Sequence, residues 1–162
     1  MEVAAQLVED AIPAPTHLFL QAGVGGFAAA MAQGLAGAIA MPRRVVVVEP
    51  AAAACVAAAL THGAPVQIEG TLETCADMLS CGAASAPALN ILLRHDAVGM
   101  HVAEADLRAA CETMAQAGGP ASTASGVAGL AGLIAVCRSA ADRERLAVDS
   151  RSVILLFVTE GA

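Results

Sequence analysis

Four consecutive valines, Val45, Val46, Val47 and Val48, stand between Arg44 and Glu49. β-Branched side chains are stiff at χ1 and pack well on a pleated surface, so this run reads as a strand, too short for a helix. No polar residue interrupts it at alternate positions. Both faces of the strand must therefore be covered, as in the centre of a parallel sheet. Residues 152–158 form another wholly apolar run, residues 17–21 a further strand, and residues 98–102 an extended segment. Helical spacing occupies residues 1–12, 27–40, 51–62, 87–95, 104–116 and 126–141, the last with Ser125 as its expected cap. Residues 66–68 are read as a short strand and 74–79 as a short helix or turn. Strands alternating with helices imply an α/β fold: a three-layer α/β/α arrangement around an open, mostly parallel sheet. Without a repeat or a dividing linker, residues 1–162 are read as a single domain.

In open sheets of this kind ligands gather beyond the carboxyl ends of the strands. Three segments follow strands here: Gly23-Val24-Gly25-Gly26, Glu49-Pro50 and Thr159-Glu160-Gly161. The first lies between a strand and a helix start. Amides at a helix N-terminus lack internal acceptors and carry partial positive charge, which suits a phosphate. The competing interpretation is a tight turn in which the glycines serve packing alone.

Composition narrows the partners. Apolar residues make up 57% of the chain and charged ones 14%, with a net charge of −7. Much of the apolar content is Ala and Gly, and there are three Phe and no Tyr or Trp, so the core must be aliphatic. Without a basic patch, nucleic-acid binding is not expected. Residues 23–42 are apolar enough to raise a membrane span, yet their apolarity is mainly Ala and Gly and a strand follows at once, so a buried helix is expected instead. No basic leader precedes an apolar run, and a cytoplasmic location is the expectation. The five cysteines, Cys55, Cys75, Cys81, Cys111 and Cys137, form no C-x-x-C, which disfavours a zinc site and a disulfide framework. Cys55 with Cys81 is a candidate regulatory pair. His17, His62, His95 and His101 show no ligand spacing and receive no role. All eight basic residues are Arg, so no Schiff base to a lysine can form within this chain.

Pro15-Thr16-His17-Leu18-Phe19-Leu20-Gln21-Ala22-Gly23-Val24-Gly25-Gly26, Val48-Glu49-Pro50, Leu79-Ser80-Cys81-Gly82, Ser125-Gly126-Val127-Ala128-Gly129 and Thr159-Glu160-Gly161-Ala162 follow one another along nearly the whole chain. In this order they resemble the C-terminal half of the tryptophan-synthase-β-like, pyridoxal-phosphate-dependent enzymes, and among them the diaminopropionate ammonia-lyases. The resemblance implies elimination of ammonia from 2,3-diaminopropionate to give pyruvate and ammonia. It assigns the cofactor phosphate to the amides of Gly23, Val24, Gly25 and Gly26, and it sets Thr159 against the pyridine nitrogen. A neutral partner there suits β-elimination.

The chain also departs from that pattern. The family's Schiff-base lysine and its acid-base carboxylates belong to a half that precedes these residues, so no catalytic residue is assigned. Ala124 stands where an acidic residue is expected. Related racemases and dehydratases hold a divalent cation with a Glu and an Asp six residues on. Here Glu49 is followed at that distance by Cys55, and no metal site is expected. The chain is thus expected to be an inactive fragment, or one part of a split enzyme with a separate lysine-bearing N-terminal half. Its exposed apolar face should favour a homo-oligomer when that half is missing. A different class of function stays open: Gly23-x-Gly25-x-x-Ala28 with Glu49 ending the next strand also satisfies the fingerprint of a Rossmann-type dinucleotide-binding module.

Overall fold

The computed structural model describes residues 2–161. Strands β1 (His17–Gln21), β2 (Arg44–Pro50), β3 (Val98–Val102) and β4 (Ile154–Leu156) form one sheet in the order β3-β2-β1-β4, and every neighbouring pair is parallel. The central strands carry the valine run and Leu18-Phe19-Leu20, all at most 2% exposed. Burying each such side chain is worth ~1.5–3 kcal/mol. The pleat sorts them by position. Leu18, Leu20, Val45 and Val47 join one core, whereas Phe19, Val46 and Val48 join the other.

Helices α2 (Gly26–Leu35), α3 (Cys55–His62) and α4 (Ala86–Arg94) cover the first core, with α1 (Glu2–Glu9) lending Val3 and Ala4 to its margin. On the opposite face lie α5 (Glu104–Gln116), α6 (Ala128–Arg138) and α7 (Ala140–Leu146). This is the three-layer α/β/α fold. Small residues let the layers close up. A Cβ at Gly132 of α6 would stand 2.6 Å from Val48 Cγ2, and one at Gly99 of β3 would stand 2.5 Å from Ala57 Cβ. The Ala- and Gly-rich composition therefore works as thin spacing between helices and sheet.

Several expected boundaries move, each for a local reason. The helix expected over 27–40 ends at Leu35, because Ala40 N–H donates to Pro15 C=O at 2.8 Å and the chain turns back to begin β2 beside β1. The helix expected over 51–62 is broken: a 3₁₀ turn at Ala51–Ala53 precedes α3, whose first turn is held by the Glu49 carboxylate. The stretch 126–141 divides into α6 and α7 at Ser139, whose hydroxyl accepts from Asp142 N–H at 3.1 Å. Ser125 caps nothing; its hydroxyl accepts from Met78 N–H at 3.2 Å. The apolar stretch 152–158 contributes only three ladder residues at a sheet edge, each half-buried. The strand expected at 66–68 is a single bridge, Gln67 to Ala83, and the helix at 74–79 is a 3₁₀ turn, Asp77–Leu79. Among the described residues no helix is long and apolar enough to cross a membrane.

Candidate functional site

The ladder of β1 continues to Ala22, whose N–H donates to Val48 C=O at 3.1 Å, and the chain then enters the glycine turn. Gly25 sits at φ +93° and ψ −2°, a left-handed conformation that L side chains rarely adopt, immediately before α2. The turn is fastened through its carbonyls. Gly23 C=O accepts from the Cys55 thiol at 3.4 Å, Val24 C=O from Ser85 N–H at 2.9 Å, and Gly25 C=O from Ala29 N–H at 2.9 Å. None of the amides of Gly23, Val24, Gly25 and Gly26 has an acceptor among the described residues. A turn with carbonyls engaged and amides spare is prepared for an anion.

These four residues, Gln21 and Thr159 line one cavity of about 420 Å³, together with Met78, Cys81 and Glu160. A Cβ at Gly26 would meet nothing within 4 Å, so open space adjoins the first residue of α2. At Gly23, by contrast, a Cβ would stand 3.0 Å from Cys81 Sγ and 3.1 Å from Met78 C=O. Of the cavity's lining only Glu160 is charged, and no basic side chain is present. An anionic ligand would be held by main-chain dipoles and the start of α2 alone.

Thr159 is delivered by close contact between two loops. A Cβ at Gly126 would lie 1.9 Å from Thr159 C=O and 2.2 Å from Ser122 Oγ, so only glycine permits the approach. Thr159 N–H donates to Gly126 C=O at 3.3 Å, and Thr159 C=O accepts from the Ser122 hydroxyl at 2.7 Å. Gln21 Nε2 donates to Thr159 Oγ1 at 3.0 Å and to Phe157 C=O at 3.1 Å. Phe27 of α2 also meets Phe157 edge-on, at a centroid distance of 5.8 Å. The turn and the Thr159 segment thus brace one another.

Glu49 is placed otherwise than the dinucleotide fingerprint requires. It is wholly buried, and its two oxygens accept from Val56 N–H and Ala57 N–H, both at 2.7 Å. Burial pushes its carboxyl up to about 7, while the two amide bonds pull the other way. Fully buried and committed to the first turn of α3, this carboxyl group presents no oxygen to a ribose at the surface. Cys55 lies behind the glycine turn and Cys81 lines the cavity; burial pushes the Cys55 thiol up to about 12, which leaves it unreactive.

Residues 1–159 match the family model described as pyridoxal-phosphate dependent enzyme. The chain belongs to this family. Pyridoxal phosphate is accordingly the cofactor against which the cavity is judged, and the spare amides and the open space at Gly26 fit its phosphate ester. Diaminopropionate ammonia lyase from Escherichia coli, solved with an aminoacrylate–PLP reaction intermediate, is similar at 27% identity and a TM-score of 0.83, over 99% of this chain and 42% of that one. A threonine deaminase from T.th. is similar in fold at 24% identity and a TM-score of 0.80, over 99% and 53%. The L-serine ammonia-lyase of the fungus Rhizomucor miehei is similar in fold at 23% identity and a TM-score of 0.80, over 99% and 50%. The chain spans about half the length of these proteins or less. No curated protein matches the sequence.

The organisers of the site that sequence reasoning passed over are Gln21, Ser122 and the close approach at Gly126. One signal was available: Gln21 is a polar residue that follows the apolar run Leu18-Phe19-Leu20 of a central strand, where burial demands partners.

Proposed function

We propose that this chain supplies the cofactor-holding half of a pyridoxal-phosphate-dependent ammonia-lyase acting on a small amino acid, 2,3-diaminopropionate, and releasing pyruvate and ammonia. The observation that carries the reading is the glycine turn, with three carbonyls tied inward and four amides spare beside Thr159. Amides of residues 23–26 hold the phosphate ester, and the partial positive charge at the start of α2 offsets its charge. The Thr159 hydroxyl meets the ring nitrogen. Pyridoxal phosphate, when bound, supplies an electron sink for the carbanion formed at the substrate's Cα. Met78 and Leu79 give the cavity an apolar wall. The choice of diaminopropionate rests on the 27% identity to the E. coli enzyme together with the series of motifs that ends in Thr159-Glu160-Gly161.

No lysine occurs in the 162 residues, so the group that would carry the cofactor covalently must come from elsewhere. We assign it to a lysine-bearing N-terminal half that docks over the cavity, where Val24 and Met78 are exposed apolar side chains, 46% and 69% respectively. Without that half these side chains favour self-association of the chain. Mixing the chain with such a half tests the assignment. A new visible absorption band together with pyruvate release from 2,3-diaminopropionate is expected. A spectrum no different from that of the lysine-bearing half alone overturns it, and turnover of threonine or serine but not diaminopropionate corrects the substrate.

A further inference from the structure

Three residues that line the cavity, Met78, Leu79 and Cys81, belong to the stretch 70–82, whose regular structure is limited to the 3₁₀ turn Asp77–Leu79. This wall stands directly against the glycine turn: a Cβ at Gly23 would lie 3.1 Å from Met78 C=O and 3.0 Å from Cys81 Sγ. Among the described residues, however, no hydrogen bond joins the stretch to residues 21–26. Its holds come from the side of α5 and α6. Glu104, the first residue of α5, stretches its carboxylate to Cys75, whose N–H donates to Oε2 at 2.7 Å, and Ser125 Oγ accepts from Met78 N–H at 3.2 Å. Between these two holds Ala76 is buried in the core that α5 and α6 cover, as is Leu79 just beyond them.

The Cys75 bond is the shorter of the two and has a charged acceptor, which makes it the stronger hold. The Cys75 thiol adds a weak contact, 3.9 Å to Glu104 C=O. Burial opposes the charge on Glu104, but the Cys75 amide and thiol, the Thr74 hydroxyl and the Arg108 guanidinium outweigh it and hold the carboxyl below its ordinary range. Glu104 does not line the cavity. A wall that meets the turn by contact alone takes its position from its anchors. We propose that Glu104 is a positioning residue for the cavity: by holding the Cys75 amide it keeps the Met78 wall against Gly23 and sets the width of the space in which the anionic ester is seated. The reach of the side chain decides this, more than its charge. The inference rests on the pyridoxal-phosphate reading of the cavity.

Three variants of the full chain test it. Glu104→Asp keeps a carboxylate at the start of α5, where the helix favours it, but withdraws it from Cys75, whereas Glu104→Gln keeps the reach and an accepting oxygen. Affinity for pyridoxal 5′-phosphate, measured by equilibrium dialysis, is expected to fall about fivefold or more in Glu104→Asp, the lower end of ordinary coupling between separate sites, and to stay at the parent value in Glu104→Gln. His17→Leu, a destabilised variant at the far end of β1, should bind as the parent does. Without ligand, the amide resonances of Met78 and Gly23 in the ¹⁵N-labelled chain should be displaced by Glu104→Asp and left in place by Glu104→Gln. Parent affinity in Glu104→Asp, an equal loss in Glu104→Gln or His17→Leu, or unmoved resonances at Met78 and Gly23 overturns the role given to Glu104. A parent chain that binds no pyridoxal phosphate, while Met78 and Gly23 still respond to Glu104→Asp, overturns the cofactor reading and leaves the anchor standing.

Discussion

His17 and Gln21 stand at opposite ends of β1, on the same face, and both are buried. At the His17 end both ring nitrogens are used: Nδ1 pairs with the Thr16 hydroxyl at 2.7 Å and Nε2 with Leu146 C=O at 3.0 Å. Thr16 in turn accepts from Val153 N–H at 2.9 Å, so the amino end of the strand is a closed network. At the Gln21 end one amide oxygen is orphaned and the four amides of residues 23–26 have no acceptor among the described residues. The same strand thus carries a finished polar network at one end and an unfinished one at the other. The spare donors lie at the carboxyl rim of the sheet, where the proposed site seats its anionic ligand.

The strongest way to break this contrast is Gly126→Ala. Its Cβ would be driven into Thr159 C=O, and overpacking of this kind costs about 3 kcal/mol or more. Urea unfolding of Gly126→Ala beside Gly161→Ala, where a Cβ meets nothing, should show the loss in the first variant alone.

Next comes the pH response. Glu49 is held above its ordinary value of 4.5, near 7, by burial, so its folded form favours the proton. Its contribution is full below about 4.5 and is lost as the pH rises through about 7, on the order of 3 kcal/mol. Glu49→Gln should flatten that slope. His17 works in the opposite sense: burial holds its pKa below the ordinary 6.5, so its contribution is present above 6.5 and is lost as the pH falls further. Chemical denaturation across this range in the parent chain and in Glu49→Gln separates the two groups.

Opening the closed end is expected to cost about 2 kcal/mol. His17→Leu leaves Leu146 C=O without its buried partner, a penalty a similar apolar volume does not recover. Guanidinium midpoints measure it. Affinity for pyridoxal phosphate should survive this change, because the cavity lies at the other end of the strand.

The smallest effect on stability, and the most selective on binding, belongs to Gly26→Ala. The new Cβ meets no atom, and alanine is the better helix former, so stability should rise by ~0.5–1 kcal/mol. The methyl group occupies the cradle, and affinity for pyridoxal phosphate is expected to fall at least roughly tenfold, or ~1.4 kcal/mol. Equilibrium dialysis against thermal denaturation of the same variant checks both signs.

The sheet could be read from the sequence because its strands declare themselves. Val45 to Val48 leave no other way to bury four β-branched side chains, and α5, expected over 104–116, spans Glu104–Gln116. The boundaries that moved depend on partners distant in sequence. α3 begins where Glu49 reaches back to Val56 and Ala57, and α2 ends where Ala40 finds Pro15. The break at Ser139 had a local signal, since its hydroxyl stands three residues before Asp142, but the apolar spacing of 126–141 masked it. In the site, the glycine turn was visible as composition, whereas the link from Gln21 to Thr159 spans 138 positions and no spacing rule reaches that far.

The central claim is that the main-chain amides of residues 23–26 hold an anionic ester. Titrating the ¹⁵N-labelled chain with pyridoxal phosphate, and separately with inorganic phosphate, tests it directly. Amide resonances of Gly23, Val24, Gly25 and Gly26 should shift together and saturate with both ligands, with Thr159 following for pyridoxal phosphate alone. Unchanged resonances at these four positions, or shifts confined to the cleft at Thr16, Arg151 and Ser152 at the opposite rim, would contradict it.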